Sequence, residues 1–540
     1  MSFNSAFPQS DDTATAGRTM ISIMDTTLRD GEQTYGVSIS GEEKLIIGEQ
    51  LLSRVGVDRI EVASCRVSEG EQKSLRRIME WADKEGYGDR VEVLSFVDHR
   101  SSVDWLTEAG CRRMNMLTKG SKHHCEKQLR KTAQEHLGDI ERTLNYAREH
   151  GVATSIYMED WSNGMSNSPD YVDEMLTQYD KWPLERIHLC DTLGILAPHH
   201  VEKFVCDLVK RYPRLKFEFH GHNDYGLATA NTLIAGSCGV AGVHVTVNGL
   251  GERAGNSSLA EIVTGFRDHT TRDTNVKDTE LKEISRLVEA FSGKRIAANT
   301  PISGNDVFTQ TAGIHADGDK KGNLYESRLS PARFGRDRVY ALGKLSGRSN
   351  LDFNLNKLGL ELDPEQRKAV LEKVIELGDK KKHVTTEDLP FLISDLLSTP
   401  EKADFSVLGC VVTTTLLLKP CANIRVRFKD REYEAVASGN GGYDAFMTAL
   451  RSLAPQMGIE IPRLVDFEIH IPPGGSTDAL VEATISWEGN LKTRAVSSDQ
   501  VLAAVRATER MINLLAKGLH RSFAPAEAEP EKAALMESLT

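Results

Sequence analysis

The stretch Met20-Ile-Ser-Ile-Met-Asp-Thr-Thr-Leu-Arg-Asp-Gly-Glu-Gln33 begins with an apolar strand, Met20 to Met24, and soon afterwards places a guanidinium beside a carboxylate, Arg29 and Asp30. A strand inside a core tolerates neither charge unpaired, so the pair marks the point where the strand gives way to a functional surface. Apolar, β-branched runs of the same kind recur at Arg59 to Ala63, Val91 to Phe96, Cys111 to Leu117, Val152 to Met158, Arg186 to Cys190, Leu215 to Phe219 and Gly242 to Val247. Segments with helical spacing lie between most of them, such as Glu42 to Arg54 and Gln134 to His150. Strand-helix units in this number over roughly 250 residues predict an α/β fold, a closed parallel TIM (β/α)8 barrel with its chemistry at the carboxyl ends of the strands. An open doubly wound sheet is the competing fold, but no Gly-x-Gly-x-x-Gly turn follows the first strand.

The chain of 540 residues exceeds what one core supports, and its net charge of -12 gives no concentrated basic surface for nucleic acid. The basic cluster Lys380 to Lys382 reads as a solvated turn, and no apolar run is long enough to span a bilayer. The eight cysteines show neither Cys-x-x-Cys nor disulfide-like spacing and are expected as reduced thiols of a cytoplasmic protein. Residues 1–18 and 521–540 read as disordered tails, the first lacking the features of a signal peptide.

Between the tails the barrel is expected over 19–295, a connecting arm with polar functional residues over 296–350, and a mixed helical region over 351–403, with a boundary at Ser398-Thr-Pro400. An α+β pseudo-repeat fills 404–520, with three strands and a helix from Tyr443, then three strands and a helix from Asp499. Its loops Gly439 to Gly442 and Pro472 to Gly475 call for glycine through close backbone approach or positive φ.

In a barrel, the polar residues at strand ends gather into one site. These are Arg29, Asp30 and Gln33; Glu159 and Asp160; Asp191 and Thr192; His220 and His222; and Glu252, Arg253 and Asn256. His220-Gly-His222 puts two imidazoles on one side of a strand, Asp30 adds an anion and Asn256 an oxygen, a donor set suited to a divalent metal. A structural hydrogen-bonded histidine pair fits the same spacing, and Glu159 and Asp160 could simply pair with an arginine at the rim.

Thr27-Leu-Arg-Asp-Gly-Glu-Gln33, His220-Gly-His-Asn-Asp224 and Asn248-Gly-Leu-Gly-Glu-Arg-Ala-Gly-Asn256 together resemble the signatures of the 2-isopropylmalate, homocitrate and citramalate synthases, over about residues 20–520. The resemblance implies an acyltransferase that condenses acetyl-CoA with a 2-oxo acid, using a divalent metal ion (Mn, Zn, Mg or Co) at Asp30, His220, His222 and Asn256. It implies that Arg29 counters developing negative charge and that Glu159, with His315 and Tyr325 from the arm, moves the proton of the acetyl methyl group. Thr192 is implied to orient the substrate carboxylate. Taken alone, His315 reads as a loop histidine and Tyr325 as a packing residue.

The positions that line the alkyl pocket in this family look like Leu94, Leu117 and Tyr157, all bulky, and the trio resembles that of the citramalate branch. Such walls leave room for a methyl group, so pyruvate is the expected 2-oxo acid; core packing alone is the bland alternative. The resemblance further implies a homodimer whose C-terminal repeat binds a feedback amino acid, isoleucine or, alternatively, leucine. A 2-isopropylmalate synthase, an aldol-cleaving acyl-CoA lyase and a non-catalytic amino-acid sensor are the rival readings. The lyase would lack the C-terminal repeat.

Overall fold

The computed structural model describes residues 17–322, 324–325, 327–358, 360–379, 384, 386–396, 404–414, 416–470, 481–489 and 491–516. The tail segments 1–16 and 521–540, Lys380 to Lys382, Ser398 to Pro400 and Pro472 to Gly475 lie outside the described residues. Two compact units are present, one drawn from Met1–Phe308 with Ser327–Asp337 and the other from Thr309–Glu326 with Arg338–Thr540.

The first unit is the expected closed barrel. Its strands are β1 (Ser22–Asp25), β2 (Arg59–Ser64), β3 (Val91–Phe96), β4 (Arg113–Lys119), β5 (Ala153–Glu159), β6 (Ile187–Asp191), β7 (Phe217–Gly221) and β8 (Gly242–Val245), paired in that order. Each pair is parallel, including β8 with β1. Several strands run past the apolar stretches that announce them. Strand β4 ends at Lys119 rather than Leu117 and β7 at Gly221 rather than Phe219, while Thr19–Met20 leaves the barrel to pair with Arg272–Asp273.

The cause lies in the alternation of side chains along each strand. Outward residues, such as Ile60, Val62, Val93, Met114, Met116, Ile156, Leu189, Phe217, Phe219 and Val243, belong to the main core. On the opposite face stand Arg59, Glu61, Glu92, Asn115, His188, Glu218 and His244, each buried and tied to others of the set or to Tyr157 by hydrogen bonds or ion pairs. The barrel interior is therefore largely charged, and the apolar signal fades before the strand ends because the last inward residues are polar.

Helices α1 (Pro198–Arg211) and α2 (Ala228–Ser237) flank β7 and pack on each other. A disulfide joins Cys206 to Cys238 across this contact, which corrects the expectation that all cysteines are reduced. Neighbouring barrel helices bring the two sulfurs together although 32 residues separate them in sequence. The other cysteines are free thiols, with Cys65, Cys111, Cys125 and Cys190 buried.

The second unit contains two antiparallel three-stranded sheets. Strands β9 (Phe405–Thr413), β10 (Cys421–Phe428) and β11 (Arg431–Ser438) precede helix α3 (Gly442–Met457). Strands β12 (Leu464–His470), β13 (Val481–Trp487) and β14 (Leu491–Ser497) precede helix α4 (Gln500–Ala516). This is the expected repeat of three strands and a helix, and both helices pack their apolar faces onto the sheets in one core. Gly439 is required by close approach, since a Cβ there would lie 2.3 Å from the Ala445 nitrogen at the start of α3. No helix among the described residues is long and apolar enough to cross a membrane.

Candidate metal and substrate site

At the carboxyl mouth of the barrel, the loop after β1 carries Arg29 and Asp30, and β7 and its extension carry His220 and His222. Asp30 Oδ2 lies 3.3 Å from His220 Nε2 and 3.9 Å from His222 Nε2, and the two imidazole Nε2 atoms face each other at 3.3 Å. Asn256 donates from Nδ2 to Asp30 Oδ2 at 3.0 Å and to the Leu250 carbonyl at 3.1 Å. All four residues are buried.

Burial works against ionisation of Asp30, but the Arg29 guanidinium, with His220 and His222, outweighs it and holds the carboxyl well below the usual carboxylate range. Burial, reinforced by His220, pushes His222 down to about 4, so its ring is neutral at neutral pH. An ionised carboxylate beside a neutral imidazole is the protonation state a divalent ion requires. The Asn256 amide oxygen and His222 Nδ1 are buried without a hydrogen-bond partner among the described residues. The residues present fit a divalent metal.

Arg29 donates from Nε to Glu61 Oε2 at 2.5 Å, lies 3.3 Å from Asp30 Oδ1 through Nη1, and donates from Nη2 to the Tyr157 hydroxyl at 3.3 Å. Asn115 donates to the other oxygen of Glu61 at 2.7 Å. Around this polar floor Leu94, Tyr157, Met24 and Cys190, with Leu117 packed against them, form a small apolar cluster separate from the main core. The three bulky residues singled out as pocket walls are thus together, next to Arg29.

Glu159, at the end of β5, is ion-paired with Lys119, a buried lysine at the end of β4. Its neighbour Asp160 sits at φ 64 and accepts hydrogen bonds from Ser121 and Asn163. The Asp160 amide donates to the Thr192 hydroxyl at 2.8 Å, which orients that side chain. Asp191 accepts from the Ile195 and Leu196 amides and so holds its own loop. Arg253 grips Asp224 with two hydrogen bonds and donates to the Thr192 carbonyl, bracing the last loop.

His315 and Tyr325 belong to the second unit. Their rings meet at 4.2 Å between centroids with a 38° tilt, and Gly318 makes room for Tyr325, since a Cβ there would lie 2.6 Å from its ring.

Sequence reasoning missed Glu61, Asn115, Lys119, His188, Glu218 and His244. One signal was present: a charge inside an apolar strand, as in Arg59-Ile-Glu61-Val and Phe217-Glu-Phe219, implies a buried partner elsewhere.

A family model described as HMGL-like matches residues 20–288 of the chain. Models for the homocitrate synthase post-HMGL domain and the LeuA allosteric (dimerisation) domain match residues 302–382 and 383–516. The (R)-citramalate synthase CimA of Methanocaldococcus jannaschii is 32% identical over 502 residues, covering 92% of this chain and 99% of that protein. The chain belongs to the 2-isopropylmalate, homocitrate and citramalate synthase family.

Synthases of this family use a divalent metal and acetyl-CoA, and this one is an acyltransferase of that type. A Methanopyrus kandleri relative named "Probable 2-isopropylmalate synthase" is 34% identical to the synthase over 504 residues, covering 92% of this chain and 98% of that one. Among solved structures, the hydroxymethylglutaryl-CoA lyase of Pseudomonas aeruginosa is similar at 19% identity and a TM-score of 0.43, covering 52% of this chain and 95% of that one.

Proposed function

We propose that the synthase condenses acetyl-CoA with pyruvate and water to give (R)-citramalate and free CoA, the pyruvate route toward isoleucine. The observation that carries this reading is the apolar cluster of Leu94, Leu117 and Tyr157 beside Arg29. Bulky walls leave room for a methyl group. An isopropyl group would overpack them, and a carboxylated side chain would lie unpaired against leucine.

Asp30, His220 and His222 would hold the divalent metal, with Asn256 completing the set through its amide oxygen. When bound, the ion supplies Lewis acidity toward the ketone of the 2-oxo acid. Arg29 donates to the oxygen on which negative charge develops as the carbon–carbon bond forms, and its own orientation is fixed by Glu61 and Tyr157. Thr192, oriented by Asp160, donates to the substrate carboxylate. Glu159, held by Lys119, accepts a proton from the acetyl methyl group, whose carbon bonds to C2 of pyruvate while the ketone oxygen takes up a proton. Water then cleaves the thioester and CoA leaves as the thiol. His315 and Tyr325 keep the acid–base role that the family resemblance gives them. The same reading makes the enzyme a cytoplasmic homodimer, with isoleucine as the feedback inhibitor bound by the C-terminal repeat.

The test is CoA-thiol release with pyruvate, 2-oxoisovalerate and 2-oxoglutarate, before and after metal removal and with isoleucine or leucine added. Metal-dependent preference for pyruvate and inhibition by isoleucine are expected. Preference for 2-oxoisovalerate would establish the 2-isopropylmalate reading instead, the alternative that the Methanopyrus kandleri relative favours.

A further inference from the structure

Beneath Arg29, three buried side chains converge inside the barrel: His188 from β6, Glu218 from β7 and His244 from β8. Glu218 Oε2 lies 3.1 Å from His244 Nε2 and 3.4 Å from His188 Nε2. Its other oxygen accepts from Arg59 and lies 3.8 Å from Arg186 Nε. Paired with the Arg59 guanidinium, the Glu218 carboxylate offers only acceptors. The neutral form of His244 carries a single N–H. With that hydrogen directed from Nε2 to Glu218, Nδ1 presents a lone pair to the Tyr157 hydroxyl 3.2 Å away. The phenol hydrogen thus faces two acceptors, His244 Nδ1 and Glu61 Oε2, each at 3.2 Å, while Arg29 donates to the phenol oxygen.

The ring of Tyr157 is held as firmly as its hydroxyl. His188 meets it edge-on at 4.4 Å and 80°, His244 at 5.4 Å and 77°, and His220 at 5.9 Å and 89°. Among the described residues neither ring nitrogen of His188 has a hydrogen-bond partner, so its visible contribution at this point is packing. A tyrosine caged in this way cannot tilt without breaking a hydrogen bond inside a buried, charged interior.

We infer that His244, anchored by Glu218 and backed by His188, is a positioning residue that fixes the height and tilt of Tyr157 and thereby the depth of the alkyl pocket. The inference rests on the reading that Tyr157 is a wall of the pyruvate site. The ligand it rejects is a 2-oxo acid one carbon longer, 2-oxobutanoate. The same three residues also converge as metal ligands would, their donor atoms lying within 4.8 Å of one another. A dication there would sit beside the Arg59 and Arg186 guanidiniums, which already neutralise Glu218, so the positioning role is the one the electrostatics favour.

The wild-type enzyme is first assayed with pyruvate and 2-oxoisovalerate, which tests the substrate reading by itself. CoA release is then compared for pyruvate and 2-oxobutanoate in His244→Ala, His244→Gln, Tyr157→Phe and the Tyr157→Phe/His244→Ala double variant, with bound metal counted per chain. In His244→Ala, KM for pyruvate rises more than kcat falls. The ratio of kcat/KM for pyruvate over 2-oxobutanoate drops by about tenfold, the scale of one methylene in a pocket. His244→Gln, whose amide can both donate to Glu218 and accept from Tyr157, restores most of the ratio. Tyr157→Phe reproduces the drop, and the double variant falls no further, because the Tyr157–His244 hydrogen bond is already absent in each single variant. An unchanged ratio in His244→Ala, or additive losses in the double variant, overturns the inference. So does a wild-type content of two metal ions per chain that falls to one in His244→Ala. If His244→Ala does not fold, Tyr157→Phe and His244→Gln decide, since an unchanged ratio in Tyr157→Phe refutes the role of the hydroxyl.

Discussion

Replacing Arg29 by leucine separates what the residue does for the fold from what it does for the reaction. Two buried carboxylates, Glu61 and Asp30, depend on its guanidinium, at 2.5 and 3.3 Å. Breaking a buried pair from one side leaves an uncompensated charge and costs about 3–5 kcal/mol. Glu61 keeps its bond from Asn115 and Asp30 keeps Asn256 and the two histidines, so the lower end of that range is expected. Loss of a donor aimed at developing charge lowers kcat by about 100- to 1,000-fold. In Arg29→Leu/Glu61→Leu one of the two uncompensated anions is gone, so part of the stability returns while activity stays lost. Urea unfolding followed by tryptophan fluorescence reads the stability, since Trp81, Trp105, Trp161 and Trp182 all lie in the barrel unit, and CoA-thiol release reads the activity. The reasoning is refuted if Arg29→Leu unfolds at the wild-type urea concentration, or if the double variant is less stable than the single one.

Asp25 gives a pH prediction. Burial pushes its carboxyl up to about 7 despite bonds from Thr27, so the folded state prefers the protonated form. Stability contributed by this group is complete below the unfolded pKa of ~4, declines as pH rises, and levels off above about 7. Asp25→Asn is expected to gain on the order of 3 kcal/mol over the wild type between about pH 5 and pH 8, measured by unfolding at both values; parallel curves would contradict this. The Cys206–Cys238 disulfide closes a loop that contains His220 and His222, with a chain-entropy contribution of ~4 kcal/mol for 32 residues. Thiol titration of the denatured, unreduced protein should find six thiols, those of the free cysteines, and a reductant or Cys206→Ser should lower the melting temperature; eight thiols would refute the bridge. Leu94→Ala should weaken discrimination against 2-oxobutanoate by roughly 10- to 100-fold in kcat/KM, at a stability cost of about 2–5 kcal/mol. An unchanged ratio would remove Leu94 from the pocket wall.

The barrel was legible because parallel strands covered by helices must be apolar on their outer face, and that face alone produces the recurring runs from Ile23 to Val245. Strand ends were not, because the inward residues Lys119, Glu159 and His220 are polar and interrupt the apolar signal within the strand. The candidate metal ligands could be found because His220 and His222 sit two apart and strand order carries Asp30 to the same mouth. The supporting network was invisible for the opposite reason. Glu61 meets Asn115 and Tyr157, and Arg59 meets Glu218, through pairings that only barrel closure creates. The disulfide escaped notice because the packing of α1 on α2, rather than any spacing, brings its sulfurs together.

The most direct test of the central claim is a crystal structure of the metal-loaded enzyme with pyruvate bound. The pyruvate methyl group is predicted to lie within about 4 Å of the side chains of Leu94, Leu117 and Tyr157, with its oxygens turned toward Asp30, His220 and His222. A methyl group directed away from those three side chains, or pyruvate bound outside the barrel mouth, would contradict the account.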